Sequence, residues 1–389
     1  MKRFARAAII VLDGVGCGAA PDAAAFGDEG SDTLGNTALA VGGLALPNLA
    51  RLGLGNIAPI RGVPAEPSPE ASWGRLRERS AGKDTTTGHW ELSGVIVENP
   101  MPTYPDGFPA DVMERFEKAA GVPALGNEVA SGTEIIGRLG AEHVKTRRPI
   151  VYTSADSVFQ IAAHEEAWPL DDLYALCRTM RAELTGEHAV GRVIARPFVG
   201  EPGDFRRTSN RRDFSLEPFG PTILDLVKDA GMEVASVGKI DDIFANRGVT
   251  RSDHVLPNQE CVDGTVRALR EIRSGLVFTN LIEFDMNFGH RNDPEGMAGC
   301  LRELDARVPD LLAAAEDTLL VFTADHGNDP TTPSTDHSRE EVPLLVWTGG
   351  AGASLGTRTS FADVGATIAE NFGLQGLQAG TSFLADLPG

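Results

Sequence analysis

The sequence predicts an α/β protein: a doubly wound, mostly parallel sheet core with an inserted smaller α+β cap domain. Three observations predict it. Short apolar runs recur at 7–12, 234–237, 276–284, 319–322 and 341–347, the pattern of strands buried on both faces. Helical segments alternate with these runs on both flanks of the chain, as parallel crossovers require. Between 99 and 217 the texture changes, and prolines at 100, 102, 105, 109 and 123 open a looser region. We therefore expect a discontinuous core, 1–98 and 218–389, and an inserted domain, 99–217. A chain of 389 residues has material for both.

Composition bounds the function. The hydrophobic content of 42% and charged content of 23% are globular values. A net charge of −20 argues against nucleic acid or an anionic membrane as partner, because phosphate backbones select for Lys and Arg clusters. A small anion remains accessible if metals or local arginines reverse the sign inside a site. Cys17, Cys177, Cys261 and Cys300 lie far apart without a C-x-x-C pair, so they read as reduced thiols rather than disulfides or zinc ligands. The apolar run near the start is interrupted by Asp13 and then by glycines, too short for a secretory core. No stretch approaches the roughly 18 apolar residues of a membrane span. The expectation is a cytoplasmic protein acting on a small molecule, with no obligatory protein partner.

In chain order, the strand at 7–12 runs straight into Asp13-Gly-Val-Gly-Cys-Gly-Ala19. Gly14, Gly16 and Ala19 fit the dinucleotide fingerprint, but Pro21, Gly27 and Gly30 break the helix that must follow. The glycines read better as a sharp turn about Asp13. Short helices are expected at 32–40 and 47–52, and a strand at 73–79. The stretch Gly82-Lys-Asp-Thr-Thr-Thr-Gly-His-Trp-Glu91 presents hydroxyls and free N–H groups at a helix start, which suits a phosphate as well as an ordinary cap. A threonine becomes a nucleophile only with a base or a metal beside it. In the insert, paired strands are expected within 149–161, a helix at 170–184 and a strand at 190–198. Arginines 206, 207, 211 and 212 close it, either as a solvated loop or as a grip on a phosphate. Further helices are expected at 222–230, 262–272, 297–315 and 361–372.

Three carboxylates, Asp13, Asp285 and Asp325, follow apolar strands at the end where open α/β sheets place their chemistry. His290, His326 and His337 lie on adjacent loops. Mixed oxygen and nitrogen donors in this number suit two divalent first-row ions better than one. Two such ions bring +4 against −3 from the carboxylates, leaving a site that can hold a phosphoryl dianion.

Taken together, Val11-Leu-Asp-Gly-Val-Gly16, Lys83-Asp-Thr-Thr-Thr-Gly-His-Trp-Glu91, Ser154-Ala-Asp-Ser-Val-Phe-Gln160, Asp285-x-x-x-x-His290, Thr323-Ala-Asp-His-Gly-Asn328 and Asp336-His-Ser338 resemble the phosphopentomutase family of the alkaline phosphatase superfamily. The resemblance runs from Ile9 to the C-terminal segment. It implies an alkaline phosphatase-like core and reversible conversion of ribose 1-phosphate, or its 2-deoxy form, to the 5-phosphate. It further implies a phosphorylated threonine, matching Thr85; sequence logic alone does not choose among Thr85, Thr86 and Thr87. By the family pattern one manganese takes Asp13, Asp325, His326 and Thr85, and the other takes Asp285, His290 and His337. A hexose bisphosphate such as glucose 1,6-bisphosphate is implied as the priming activator. Ser154, Asp156, Arg192, Arg207 and Lys239 are the expected substrate contacts, with the duplicated arginines 206 and 207 leaving that position open.

Two other readings follow from the same residues. A phosphatase or phosphoglycerate-type mutase of the superfamily would use the same metals with a different cap. A silent sugar-phosphate binder would not need a full set of ligands and nucleophile.

Overall fold

The structure, a computed structural model, describes residues 4–154 and 156–388; Ala155 of the Ser154–Gln160 motif and the first three residues lie outside it. The chain forms two compact units, Met1–Asn99 with Pro218–Gly389, and Pro100–Glu217. Its strands, in chain order, are β1 (Arg6–Leu12), β2 (Ser72–Leu76), β3 (Leu125–Val129), β4 (Ile150–Thr153), β5 (Val158–His164), β6 (Arg192–Val199), β7 (Arg206–Arg207), β8 (Arg212–Ser215), β9 (Glu233–Val237), β10 (Arg251–Asp253), β11 (Gly275–Leu281), β12 (Thr318–Thr323), β13 (Val342–Trp347) and β14 (Ser354–Arg358).

The discontinuous unit is built on an eight-stranded sheet of order β10-β9-β11-β1-β12-β13-β2-β14. From β10 to β12 the neighbours are parallel, and β13 is antiparallel to both β12 and β2. Strands β11 and β12 are buried along their whole length, and β1 from Ala7 onward, which is why they read as unbroken apolar runs. Register decides where the site falls. Leu12 pairs with Leu281 and Val11 with Thr323, so three neighbouring strands end level with one another. Residues just past those ends therefore meet in space although they stand hundreds of positions apart in sequence.

Helix ends follow local chemistry. The helix Thr33–Ala40 is capped by Asp32, whose carboxylate accepts from Gly35 N at 2.9 Å. The helix Pro294–Ala314 opens with Asp293 accepting from Gly296 N at 2.9 Å and with proline in the first turn, where its missing N–H costs nothing. No helix among the described residues is long and apolar enough to cross a membrane.

Several expectations need correcting. The run at 276–284 is a strand only to Leu281; a single wide π-type turn, Phe284–Phe288, follows. Glu283 leaves the sheet to accept from Asn258 N at 2.6 Å while Asn258 Oδ1 accepts from Glu283 N. A short apolar run does not reveal where strand gives way to helix. The strand expected at 73–79 ends at Leu76, and the helix expected at 262–272 begins at Asn258.

The second unit is not loose. Its six-stranded sheet runs β3-β4-β5-β6-β7, with β8 also paired to β6. The helix Ala110–Ala120 starts directly after Pro109 and stops at Gly121, and the helix Gly132–Thr146 is capped by Ser131. Prolines 100, 102, 105, 109 and 123 sit before and between elements, where they are tolerated. Val112, Phe116, Phe159, Leu173 and Met180 fill one side of the sheet; Ile135, Ile136, Ile150, Tyr152 and Phe198 fill the other.

Candidate metal centre

Asp13 follows β1 and is fully buried. The next residue, Gly14, turns at φ +75°, and a Cβ there would stand 3.1 Å from Asn328 Cβ and 3.2 Å from Asp285 Oδ1. Glycine is required both for the turn and for the close approach of the other two strand ends. Gly14 N donates to Asp325 Oδ1 at 3.2 Å, tying the ends of β1 and β12 together.

His326 occupies the middle. Its Nδ1 lies 3.0 Å from the Gly327 carbonyl, which assigns the proton to that nitrogen and leaves the Nε2 lone pair facing inward. Nε2 stands 3.4 Å from Asp13 Oδ1 and 3.4 Å from Asp325 Oδ2. Asp13, Asp325 and His326 form one compact donor group, and Asp285, His326 and His337 form a second, each with its donor atoms within 4.8 Å. The structure thus shares His326 between both groups, where the family pattern assigns it to one. His290 Nδ1 is fixed by the Thr335 carbonyl at 2.7 Å, and its Nε2 reaches Asp285 Oδ2 at 3.0 Å.

The threonine-rich stretch forms the helix Thr85–Leu92 with Asp84 as its cap. Asp84 accepts from Thr87 N at 3.1 Å and from the Thr87 hydroxyl at 2.6 Å. That occupies Thr87. Thr85 Oγ1 instead faces the donor groups, 3.2 Å from His326 Nε2 and 3.5 Å from Asp13 Oδ1. A Cβ on Gly88 would stand 2.0 Å from the Asp325 carbonyl oxygen, so the helix seats directly on the second acid's backbone.

The electrostatics describe a site short of cations. Burial pushes Asp13 up, and the neighbouring Asp325 charge adds to it. Burial also opposes ionisation of Asp285, but His337 and His290 outweigh it and hold that carboxyl well below its usual range. The hydrogen bond to Asp285 raises His290 to about 9. For His326 burial opposes the charge, yet Asp325 and Asp13 overcome it and push the imidazole well above its ordinary value. Protons here substitute for positive charge that three buried carboxylates demand. Asp325 Oδ2 is buried without a hydrogen-bond partner, and its close neighbours are the ring nitrogens of His89 and His326. Buried carboxylate oxygen and imidazole nitrogen aimed at one space, with one oxygen left orphaned, fit a divalent cation.

Residues outside the expected set hold these donors in place. Asn280, on the fully buried β11, donates through Nδ2 to Asp13 Oδ2 at 2.6 Å and faces His89 Nε2 at 3.2 Å. His89 is fully buried, stacks on Phe278, and turns Nδ1 to the Thr85 carbonyl at 2.8 Å and to Asp325 Oδ2 at 3.1 Å. Asn328 Nδ2 donates to Asp285 Oδ1 at 2.6 Å. Glu340 accepts from Thr33 N, the Thr33 hydroxyl, the Ser338 hydroxyl and Gly18 N, joining the loop after β1 to the loop that carries His337. An asparagine inside a fully buried strand was the one available sequence signal; the contacts of Glu340 have none.

Lys239 precedes the short helix Ile240–Ile243 in the discontinuous unit. In the other unit, Arg192 lies 3.8 Å from Asp156 and 3.4 Å from Asp213, and Asp156 N faces Ser154 Oγ at 3.4 Å. Arg207 starts elsewhere: it pairs with Phe198 near the end of β6, whereas Arg192 begins that strand. Ser154, Asp156 and Arg192 are brought together; the Arg207 backbone is not with them.

Comparison with known proteins accords with this arrangement. Residues 5–376 match the model of the metalloenzyme superfamily. The phosphopentomutase of Caldanaerobacter subterraneus subsp. tengcongensis is 56% identical over 386 residues, 98% of each chain. That of Acetivibrio thermocellus is 57% identical, covering 98% of this chain and 99% of its own. In fold, the chain is similar to Leishmania mexicana phosphoglycerate mutase, with a TM-score of 0.51 at 12% identity over 98% of this chain and 97% of that one. The chain belongs to the phosphopentomutase family of metal-dependent phosphomutases, within the metalloenzyme superfamily.

Proposed function

We propose that the protein interconverts ribose 1-phosphate, or its 2-deoxy form, and the corresponding 5-phosphate, with Thr85 as the phosphoryl carrier. The observation that carries this reading is the Thr85 hydroxyl at the head of its helix, 3.2 Å from His326 Nε2 and 3.5 Å from Asp13 Oδ1. Thr87, the other hydroxyl with a defined bond, is occupied in donating to the capping carboxylate of Asp84.

Asp13, Asp325, His326 and Thr85 would hold one manganese, and Asp285, His290 and His337 the other, with His326 near enough to both groups to serve either. When bound, such ions neutralise the transferring phosphoryl group and the oxygens at its two ends. The chain's own residues do the rest. Phospho-Thr85 passes its phosphoryl group to the free hydroxyl of a pentose monophosphate; the P–O bond to Thr85 breaks as the bond to the sugar forms, and a pentose 1,5-bisphosphate results. The Thr85 hydroxyl then takes the other phosphate, leaving the isomeric monophosphate. His89 and Asn280 keep the carboxylates and the first helical turn aligned, so that little reorganisation accompanies the charge shift. A bisphosphate such as glucose 1,6-bisphosphate primes Thr85. Pro100–Glu217 acts as the cap that receives the sugar, with Ser154, Asp156, Arg192 and Arg207 contributing from that unit and Lys239 from the other.

Phosphorus NMR of ribose 5-phosphate with manganese and catalytic glucose 1,6-bisphosphate tests this. A growing ribose 1-phosphate signal without inorganic phosphate is expected. Inorganic phosphate in its place would mean that water reaches the phosphothreonine and that the chain is a hydrolase.

A further inference from the structure

Arg339 is 3% exposed and stands two residues after His337. The stretch that carries it is fixed to the metal side, because Ser338 and Gly327 exchange backbone hydrogen bonds of 2.7 and 3.0 Å, and Gly327 directly follows His326. From that footing the guanidinium crosses to the segment after β2. Nη2 donates to the Glu78 carbonyl at 3.0 Å, and Nη1 to the carbonyls of Ser80 and Gly82 at 2.9 and 2.6 Å. Alternate residues of an extended chain turn their carbonyls to one side, and these three lie past the end of the β2 ladder at Leu76. The Glu78 carboxylate at 2.7 Å and that of Asp22 at 3.0 Å balance the charge, and the Phe26 ring faces the guanidinium at 4.9 Å.

The segment held in this way leads into the helix that carries Thr85. Gly82 abuts the helix cap: a Cβ there would stand 2.7 Å from Thr87 Oγ1 and 2.9 Å from Asp84 Oδ2. Asp28 adds a second tie, one of its oxygens accepting from Arg339 N at 2.8 Å and from Lys83 Nζ at 2.9 Å. Lys83 and Asp84 are the two residues between Gly82 and Thr85. One buried guanidinium therefore joins the His337 stretch to the first turn of the helix Thr85–Leu92. A planar fork can reach two acids and three carbonyls at once, whereas an ammonium group is a point charge.

We propose that Arg339 is a positioning residue for phosphoryl transfer: by holding the Ser80 and Gly82 carbonyls against the His337 stretch, it sets the Thr85 hydroxyl against the metal donors. This rests on the reading of Thr85 as the phosphoryl carrier. The hydroxyl stands 3.2 Å from His326 Nε2, and a displacement of about 1 Å at a reacting group costs on the order of 100-fold in rate. An alignment felt only during transfer shows in kcat and not in KM.

The test compares full-length, manganese-loaded wild type with Arg339→Lys and Gly82→Ala. Arg339→Lys keeps the charge between Glu78 and Asp22 but loses the fork. Gly82→Ala leaves the ion pairs intact and presses a methyl group on Asp84 and Thr87, so it decides the matter if Arg339→Lys does not fold. Each should lower kcat with ribose 5-phosphate about 100-fold, while KM and the affinity for manganese move less than about twofold. Orthovanadate imitates a phosphoryl group in transfer, and equilibrium dialysis should show it bound about tenfold or more weakly by each variant. Undiminished turnover, an unchanged vanadate affinity, or manganese affinity lost in step with kcat overturns this role for Arg339. The mutase reading fails separately. Wild type that forms no ribose 1-phosphate sinks it, while vanadate affinity that falls in the variants still keeps Arg339 as the residue that aligns Thr85.

Discussion

His326 Nε2 stands 3.2 Å from Thr85 Oγ1 and 3.4 Å from one carboxylate oxygen of each of Asp13 and Asp325, so one nitrogen joins a helix start to two strand ends. Thr85→Ala removes the hydroxyl and little else. It should cut mutase turnover to below about one-thousandth of wild type, as loss of a covalent carrier does. Manganese binding by calorimetry and the circular dichroism spectrum should remain near wild type. Thr87→Ala should behave oppositely, costing about 1 kcal/mol of stability through the lost hydroxyl bond to Asp84 while keeping turnover. Substantial turnover in Thr85→Ala would remove Thr85 from the mechanism.

Asn280 bridges Asp13 and His89 from inside β11. In Asn280→Leu both lose their partner while the branched shape of the side chain is kept. Affinity for manganese should fall by about 10–100-fold, the usual loss when an orienting hydrogen bond behind a metal ligand is removed. Isothermal titration measures it. Affinity equal to wild type would mean that Asp13 needs no such support.

Removing metal should expose the strain among the carboxylates. Asp13 and Asp325 are fully buried and Asp285 is 5% exposed. A chelator should lower the melting temperature, and restoring metal to a hundredfold excess over its dissociation constant should return about 2.7 kcal/mol per occupied site. Calorimetric scans across manganese concentration read this directly. A melting temperature indifferent to metal would argue that protonated histidines alone suffice.

Glu340 predicts a pH effect away from the metal donors. Burial raises its carboxyl from 4.5 to about 7, against the pull of hydrogen bonds from Thr33 and Ser338. A group raised on folding holds its proton longer in the folded chain. Its contribution is therefore complete below pH 4.5 and is lost as pH climbs through 7. The full swing is on the order of 3 kcal/mol. Urea unfolding of wild type and Glu340→Gln at pH 5 and pH 8 should show the difference moving in the variant's favour at the higher pH. A constant difference would place Glu340 outside this titration.

The sheet was readable because its central strands are apolar on both faces, and a run such as that at 319–322 has few other homes. The acids beyond those strands were readable for the same reason, since Asp13 directly follows its apolar run and Asp325 comes three residues after the end of its own. Asp285 lies inside the π-type turn rather than at the strand end, and from there it still joins His326 and His337. Less legible were contacts made through the backbone or over long separations. Thr85 and Thr87 are chemically identical in sequence, and only the Asp84 cap tells them apart. The helices at Ala110–Ala120 and Gly132–Thr146 were hidden by prolines and glycines that lie at their edges rather than inside the first of them. Nothing in the sequence places Arg339 against Gly82.

The level ends of β11, β1 and β12 have a consequence for synthesis. The first strand leaves the ribosome hundreds of residues before its two neighbours, with the whole inserted unit emerging between them. Until then β1 has no edge to join and Asp13 has no companion acid. The inserted unit, whose strands are close in sequence, can fold while the rest waits. A nascent chain stopped before residue 318 would carry Thr85 and Asp13 without Asp325 and His326, so the donor group around Asp13 is completed only in the last fifth of translation.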